Sequence, residues 1–225
     1  MKIKIIFIIL WSIINRYLEG GNLLERIIYM QRPFFENEAK EIIRQSLSAL
    51  SYCQTNNIMH RDIKLQNIMF QNRKPDSGIK LIDFGFASNI NVKNKFQSLR
   101  GTPYFMPPEL FLNKGPHCKS DIYSLGIVLY FVLRGQFPFI IKNIEELKAF
   151  VIKHNYENDS FNELVGLSEL GKLFLKRMLT YDLNKRPSAY ELLNDPWLNT
   201  STKIIPISDF DKSEIYSNIM KYKVG

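Results

Sequence analysis

Cysteine is nearly absent from this sequence. Cys53 and Cys118 are the only two; neither belongs to a CxxC pair, and neither has a histidine neighbour at metal-ligand spacing. That excludes a disulfide framework, and both read as core thiols of a cytoplasmic protein. Internal repeats and low-complexity stretches are also lacking, so solenoid and fibrous architectures drop out. No apolar run is long enough to span a bilayer as a helix. The nearest approach is residues 5–10, extended by residues 11–14 and preceded by Lys2 and Lys4. This run imitates a signal peptide, but no small-residue cleavage site follows it, because Asn15, Arg16 and Tyr17 come next. Its isoleucine content favours a buried strand, and a membrane is not an expected partner. Acidic residues are outnumbered, 22 against 30 lysines and arginines, for a formal charge of +8. The basic residues are spread along the chain, which points to a solvated basic surface and away from a nucleic-acid partner.

What the chain does have is enough apolar residue, 45% of its 225 positions, for one real core. After the break at Glu19-Gly20-Gly21, a short helix is expected through Leu23, Leu24 and Ile27, with Pro33 as a stop. A long helix follows from near Glu36, with Ala39, Ile43, Leu47 and Leu50 on one face and Asn56-Asn57 ending it. Ile58-Met59 and residues 68–70 and 79–82 read as brief strands, the last two joined by the turn Asp76-Ser77-Gly78. Residues 86–108 show no periodicity and read as a long loop. Residues 120–134 are apolar on nearly every face, so that helix must be central, with Ser120 capping its start and Gly135 its end. Three more helices are expected near residues 144–154, 168–180 and 188–193. The fold class is therefore mainly α with a few short strands.

The chemistry concentrates in His60-Arg61-Asp62-Ile63-Lys64-Leu65-Gln66-Asn67. A carboxylate can accept the proton of an attacking hydroxyl. A lysine two residues on can neutralise a moving phosphoryl group. An amide oxygen three residues further can hold a hard cation such as Mg²⁺. Asp83-Phe84-Gly85, just after the apolar strand, offers a second carboxylate for a metal. Either tripeptide alone is weak; order, spacing and segment type together match the known arrangement of protein kinases.

From about Glu19 to Leu198 the chain resembles the eukaryotic serine/threonine protein kinase family, in its C-terminal lobe. Gly101-Thr102-Pro103-Tyr104-Phe105-Met106-Pro107-Pro108-Glu109 resembles the GT…APE segment, with Pro107 in place of the usual Ala. Residues 120–126 are similar to the central-helix signature. Asn184-Lys185-Arg186-Pro187 resembles the segment whose Arg pairs with the APE Glu, here Glu109. Lys64 after HRD resembles the serine/threonine class. Residues 18–24 and 194–198 look most like the calcium/calmodulin-dependent kinase group. The resemblance implies ATP and Mg²⁺ as cofactors and proteins with Ser or Thr acceptors as substrates. It implies Asp62 as catalytic base, Lys64 on the γ-phosphate, Asn67 and Asp83 on Mg²⁺, and Met69 under adenine. Glu19 to Asn22 would lie beside the ribose, and Gln66 would complete the nucleotide site. Asn22 stands where many relatives carry an acid, which implies a weaker ribose contact. Asp121 would brace the catalytic loop. Ser98 sits where relatives carry an activating phosphate, with Arg61 as its partner, and the tail, 199–225, is the expected place for a regulatory partner.

The resemblance also implies a small strand-rich lobe before the hinge, with a glycine-rich loop and a strand lysine. Residues 1–18 contain neither and match only its last strand, with residues 11–15 inserted and Arg16 in place of an acid. Two explanations fit: a fragment of an ordinary kinase, inactive alone, or a truncated relative that binds partners without catalysis. The retention of Asp62, Lys64, Asn67 and Asp83 in register favours the first.

Overall fold

The computed structural model describes residues 18–90, 101–159, 161–164 and 166–200. The strand expected at residues 5–10, the altered hinge before Leu18, Ser98 and the tail beyond Thr200 lie outside the described residues.

The first helix among the described residues is α1, Leu23–Met30, where Asn22 Oδ1 accepts from Glu25 N and Glu25 Oε2 accepts from Asn22 N. This reciprocal cap satisfies two orphan donors of the first turn. Next comes α2, Glu36–Thr55, burying Ala39, Ile42, Ile43, Leu47, Leu50 and Cys53. Its start is fixed by Glu38, which accepts from Phe35 N at 2.8 Å and from both terminal nitrogens of Arg32 at 2.8 Å each. The helix ends at Asn56, and Asn57 follows at φ 58°, the left-handed conformation in which Asn is well tolerated.

Two antiparallel ribbons come next: β2, Ile68–Phe70, pairs with β3, Ile79–Leu81, and β1, Ile58–Met59, pairs with β4, Ser88–Asn89. The short helix α3, Pro108–Phe111, precedes α4, Ser120–Arg134, in which every residue but Arg134 is buried. As expected of a helix apolar all round, α4 is the central post, contacting α2 on one side and α6, Glu169–Met178, on another. A Cβ on Gly126 would come within 2.8 Å of Leu179 and 3.1 Å of Met178, so that position lets the chain after α6 lie directly on the post. Gly135, at φ 76°, ends α4 as expected. Ser120 does not cap it. Lys119 holds the cap position without a side-chain bond, while Ser120 Oγ donates to Glu109 Oε1 at 2.7 Å.

The remaining helices are α5, Ile144–Lys153, α7, Ala189–Leu193, and α8, Pro196–Asn199. α8 is seated against α6 by Trp197, whose ring lies 4.5 Å from that of Phe174 and whose Nε1 donates to the buried Glu36 at 2.6 Å. Ser168 Oγ donates to the same carboxylate at 2.5 Å. From α2, Lys40 donates to Thr200 O at 2.9 Å and Arg44 to Leu198 O, which caps the carbonyl end of α8 with two cations.

Candidate active site

The segment between β1 and β2 carries His60 to Asn67 and is held by its backbone. Asp121, in the first turn of α4, accepts from His60 N at 2.8 Å and from Arg61 N at 2.9 Å. Arg61 sits at φ 70°, a conformation that non-glycine residues keep only where the surroundings over-determine it, and these two bonds supply part of that constraint. Full burial pushes the Asp121 carboxyl above its usual range, against the opposing pull of His60 and of these N–H donors. His60, fully buried, accepts from Asp62 N through Nδ1 at 3.3 Å. That pattern leaves the proton on Nε2, which reaches Ile82 O at 2.9 Å and ties the segment to the end of β3.

Asp62 is the centre of the arrangement and is buried. Its Oδ1 accepts from Thr102 N at 3.1 Å and Thr102 Oγ1 at 2.9 Å. Its Oδ2 accepts from Lys64 Nζ at 2.6 Å and Asn67 Nδ2 at 3.1 Å. Four donors thus meet the four lone-pair positions of one carboxylate. Lys64 also donates to Thr102 Oγ1 at 3.1 Å, so the hydroxyl stands between base and cation. Because Asn67 Nδ2 is spent on Asp62 O and Oδ2, its amide oxygen faces the other way, and it accepts no hydrogen bond among the described residues.

Asp62, Lys64 and Asn67 are therefore brought together as expected. Ile82 N donates to Asn67 O at 2.9 Å, which extends the β2–β3 ribbon to the residue before Asp83. Asp83 itself takes the left-handed conformation, φ 62° and ψ 69°, and is exposed. Among the described residues its Oδ1 accepts only from Gly85 N, at 3.2 Å, and Phe84 turns its ring onto His60, 4.6 Å away. Glu19, Asn22, Lys64, Gln66, Asn67 and Met69 line one open cleft of about 740 Å³, to which Asp83 contributes no wall. Leu18, Met69 and Ile82 form a small apolar cluster there, separate from the main core. Asn22 bridges to Met69, and Phe70 N donates to Gly21 O at 2.9 Å, so the chain before α1 is stitched to the cleft floor.

Sequence reasoning missed two features. One is the Asn22–Glu25 cap, which already engages the Asn22 side chain; the Asn-x-x-Glu spacing could have revealed it. The other is Arg73, a cation on the cleft wall that no local pattern marks. The Glu109–Arg186 pair is present, at 2.8 and 3.0 Å, with both side chains buried. Among the described residues there is no group of three or more His, Cys, Asp or Glu that could hold a metal, and no helix long and apolar enough to cross a membrane.

Comparison with known proteins agrees with this geometry. The family model described as protein kinase domain matches residues 10–198. The chain is 33% identical over 197 residues to CDPK-related kinase 3 of Arabidopsis thaliana, covering 87% of this chain and 32% of that protein. It is 36% identical over 181 residues to the calcium and calcium/calmodulin-dependent serine/threonine-protein kinase DMI-3 of Medicago truncatula, covering 80% and 34%. It is 36% identical over 179 residues to calcium-dependent protein kinase 5 of Plasmodium falciparum, covering 80% and 31%. The chain spans about one third of the length of these relatives. With Lys64, Asn67 and Thr102 gathered on the buried Asp62 carboxylate and the family matched over most of the chain, the chain belongs to the protein kinase family and is similar to its calcium- and calmodulin-dependent members.

Proposed function

We propose that this chain is the C-terminal lobe of a protein kinase and that, with a small lobe in place, it transfers the γ-phosphate of ATP to Ser and Thr hydroxyls of protein substrates. The observation that carries the reading is the Asp62 carboxylate, buried and held by Lys64, Asn67 and Thr102. In the reaction Lys64 turns from Asp62 to the phosphoryl group, and a substrate hydroxyl gives its proton to Asp62 at the Oδ2 position so vacated. Its oxygen bonds to the γ-phosphorus, and the bond from that phosphorus to the β–γ bridging oxygen breaks, releasing ADP. Asp62 takes the proton as the new bond forms, and Lys64 is placed to offset the negative charge of the transferring group. Most of the catalysis in such a transfer is positioning, which is what the hydrogen bonds around Asp62 and Asp121 supply.

The donor set also fits Mg²⁺, which prefers oxygen ligands. Among the described residues Asn67 Oδ1 accepts no bond, and the exposed Asp83 carboxylate spends one oxygen on a single N–H. When bound, Mg²⁺ neutralises phosphate charge. Adenine fits over Met69 and beside Leu18 and Ile82, with Glu19, Asn22 and Gln66 toward the sugar and phosphates. The two free thiols suit a reducing compartment, and we place the chain in the cytoplasm.

The test, on this chain joined to a small lobe that supplies the glycine-rich loop and strand lysine, is transfer of radiolabelled γ-phosphate to a mixed Ser/Thr/Tyr peptide set, followed by phosphoamino-acid analysis. Label should appear on Ser and Thr, and Asp62→Ala should lower the rate by roughly 10²–10⁴-fold. Turnover unchanged in Asp62→Ala, or label confined to Tyr, overturns the assignment. Nucleotide binding without any transfer would make the chain a binding module.

A further inference from the structure

We propose that the groove between α6 and α8, on the outer side of the molecule, is the docking site for residues 204–211 of this same chain. The argument starts with α6. Its inner face buries Phe174, Leu175 and Met178, yet Leu170 and Leu173, one turn apart on its outer face, are 40% and 56% exposed. Single exposed leucines are ordinary. These two share a concavity of about 510 Å³ with Pro196, the first residue of α8, and Lys176 and Lys185 stand on its rim. Arg177, also on the rim, is paired with Asp195. Lys176 and Lys185 make no ion pair among the described residues. The groove therefore presents an apolar floor bordered by unneutralised positive charge, and a fitting occupant is apolar and acidic.

Residues 204–211 have that character. They contain Ile204, Ile205, Ile207 and Phe210, two carboxylates at Asp209 and Asp211, and no Lys or Arg. Position agrees with composition. Thr200 N donates to Pro196 O at 3.0 Å, so the chain leaves α8 one turn from the residue that walls the groove. Lys40 and Arg44 fix that point of departure by holding Thr200 O and Leu198 O. From Thr200, ten extended residues reach about 33–36 Å, far enough for Phe210 to turn back onto Leu173. A tether this short gives an effective concentration of order mM, which favours the chain's own segment over a second copy.

The experiment reads access to the groove directly and needs no catalysis. The full chain carrying Leu173→Cys is labelled with N-ethylmaleimide, and labelling at that site is followed by peptide mapping, so Cys53 and Cys118 do not interfere. Tyr190→Cys, at a position 70% exposed, is the reference. If the segment docks about nine-tenths of the time, Leu173→Cys labels about tenfold slower than the reference. Phe210→Asp should then restore the fast rate while lowering the melting temperature by only a few degrees, the effect of losing a tenfold docking preference, and protection should weaken as salt rises. Equal rates with and without Phe210→Asp overturn the proposal. Protection that grows with protein concentration also overturns it, because the occupant is then a second copy. So does protection that appears only when another protein is added.

Discussion

Glu109 and Arg186 offer the sharpest test of how the lobe is held together. Arg186 has five N–H donors, and all are engaged. Nε meets Thr180 O at 2.9 Å; one terminal nitrogen meets Glu109 Oε1 at 2.8 Å and Lys119 O at 3.0 Å; the other meets Glu109 Oε2 at 3.0 Å and Tyr181 O at 3.4 Å. The side chains are 0% and 4% exposed, so no water compensates a loss. Glu109→Ala would leave a buried guanidinium with two unpartnered N–H groups and would free the Ser120 hydroxyl as well. Removing one partner of such a pair costs about 3–5 kcal/mol. At roughly 2–4 °C per kcal/mol for a chain of this size, the melting temperature should fall by about 6–20 °C. Glu109→Gln keeps an acceptor oxygen and should cost about 1.5–3 kcal/mol, the value of a hydrogen bond to a charged group. The double change Glu109→Leu with Arg186→Met removes both charges and should cost far less than the two single losses added together. Urea unfolding followed by circular dichroism measures the parent, these three variants and the singles Glu109→Leu and Arg186→Met. If Glu109→Ala lies within about 1 kcal/mol of the parent, or if the double variant equals the sum of the singles, the pair is not what couples these segments.

Two further outcomes follow from the geometry. Thr102→Val removes the hydroxyl that lies between Asp62 and Lys64 but keeps the shape, so it should lower kcat by roughly 10–150-fold, the value of one hydrogen bond to a charged group; Thr102→Ser should restore it, and full turnover in the valine variant would refute the role. Burial alone would raise the pKa of Glu38, but Arg32 and the Phe35 N–H outweigh it and hold the carboxyl below its usual range. A depressed folded pKa means the stability is present above the unfolded value, about 4.3, and is lost as pH falls through the folded one. Arg32→Met should therefore melt lower than the parent at pH 7, with the two curves converging below about pH 4; a gap that stays constant with pH would refute this.

Long or densely apolar elements were legible in the sequence because their signal is local. Residues 120–134 have no polar stripe, so their central place followed from hydrophobicity alone, and α2 announced its buried face by spacing. Among the shortest elements, β1, β2 and β3 were legible as apolar pairs and triplets between turns, but α3, α8 and β4 escaped. α3 and α8 are one turn each, too short to show a period, and β4 exists only because Ser88 and Asn89 meet Met59 and Ile58 far back in the chain. Ser120 fits the profile of a cap, but a buried glutamate eleven residues earlier competes for its hydroxyl and wins. Glu36 was read only as the start of a helix. Its partners Ser168 and Trp197 lie more than 130 residues away, beyond the reach of any pattern. At the candidate site, residue types and order were readable. The saturation of the Asp62 lone pairs was not, because it depends on side-chain directions that only the folded chain sets.

The first turn of α4 has a consequence for how this protein can change over time. Asp121 pins the segment that carries the base, and Ser120 and Ser124 hold Glu109 and Phe105 O of the segment that follows residues 91–100. Both ends of that connection are thus bolted to the same fixture, each by its own fastening. The distance between the base and the Phe105–Glu109 segment is written into the helix and not into residues 91–100. Insertions, deletions and new charges in the connection can accumulate without misaligning the machinery, which makes this stretch the natural place for lineages to rewrite control while leaving the chemistry untouched.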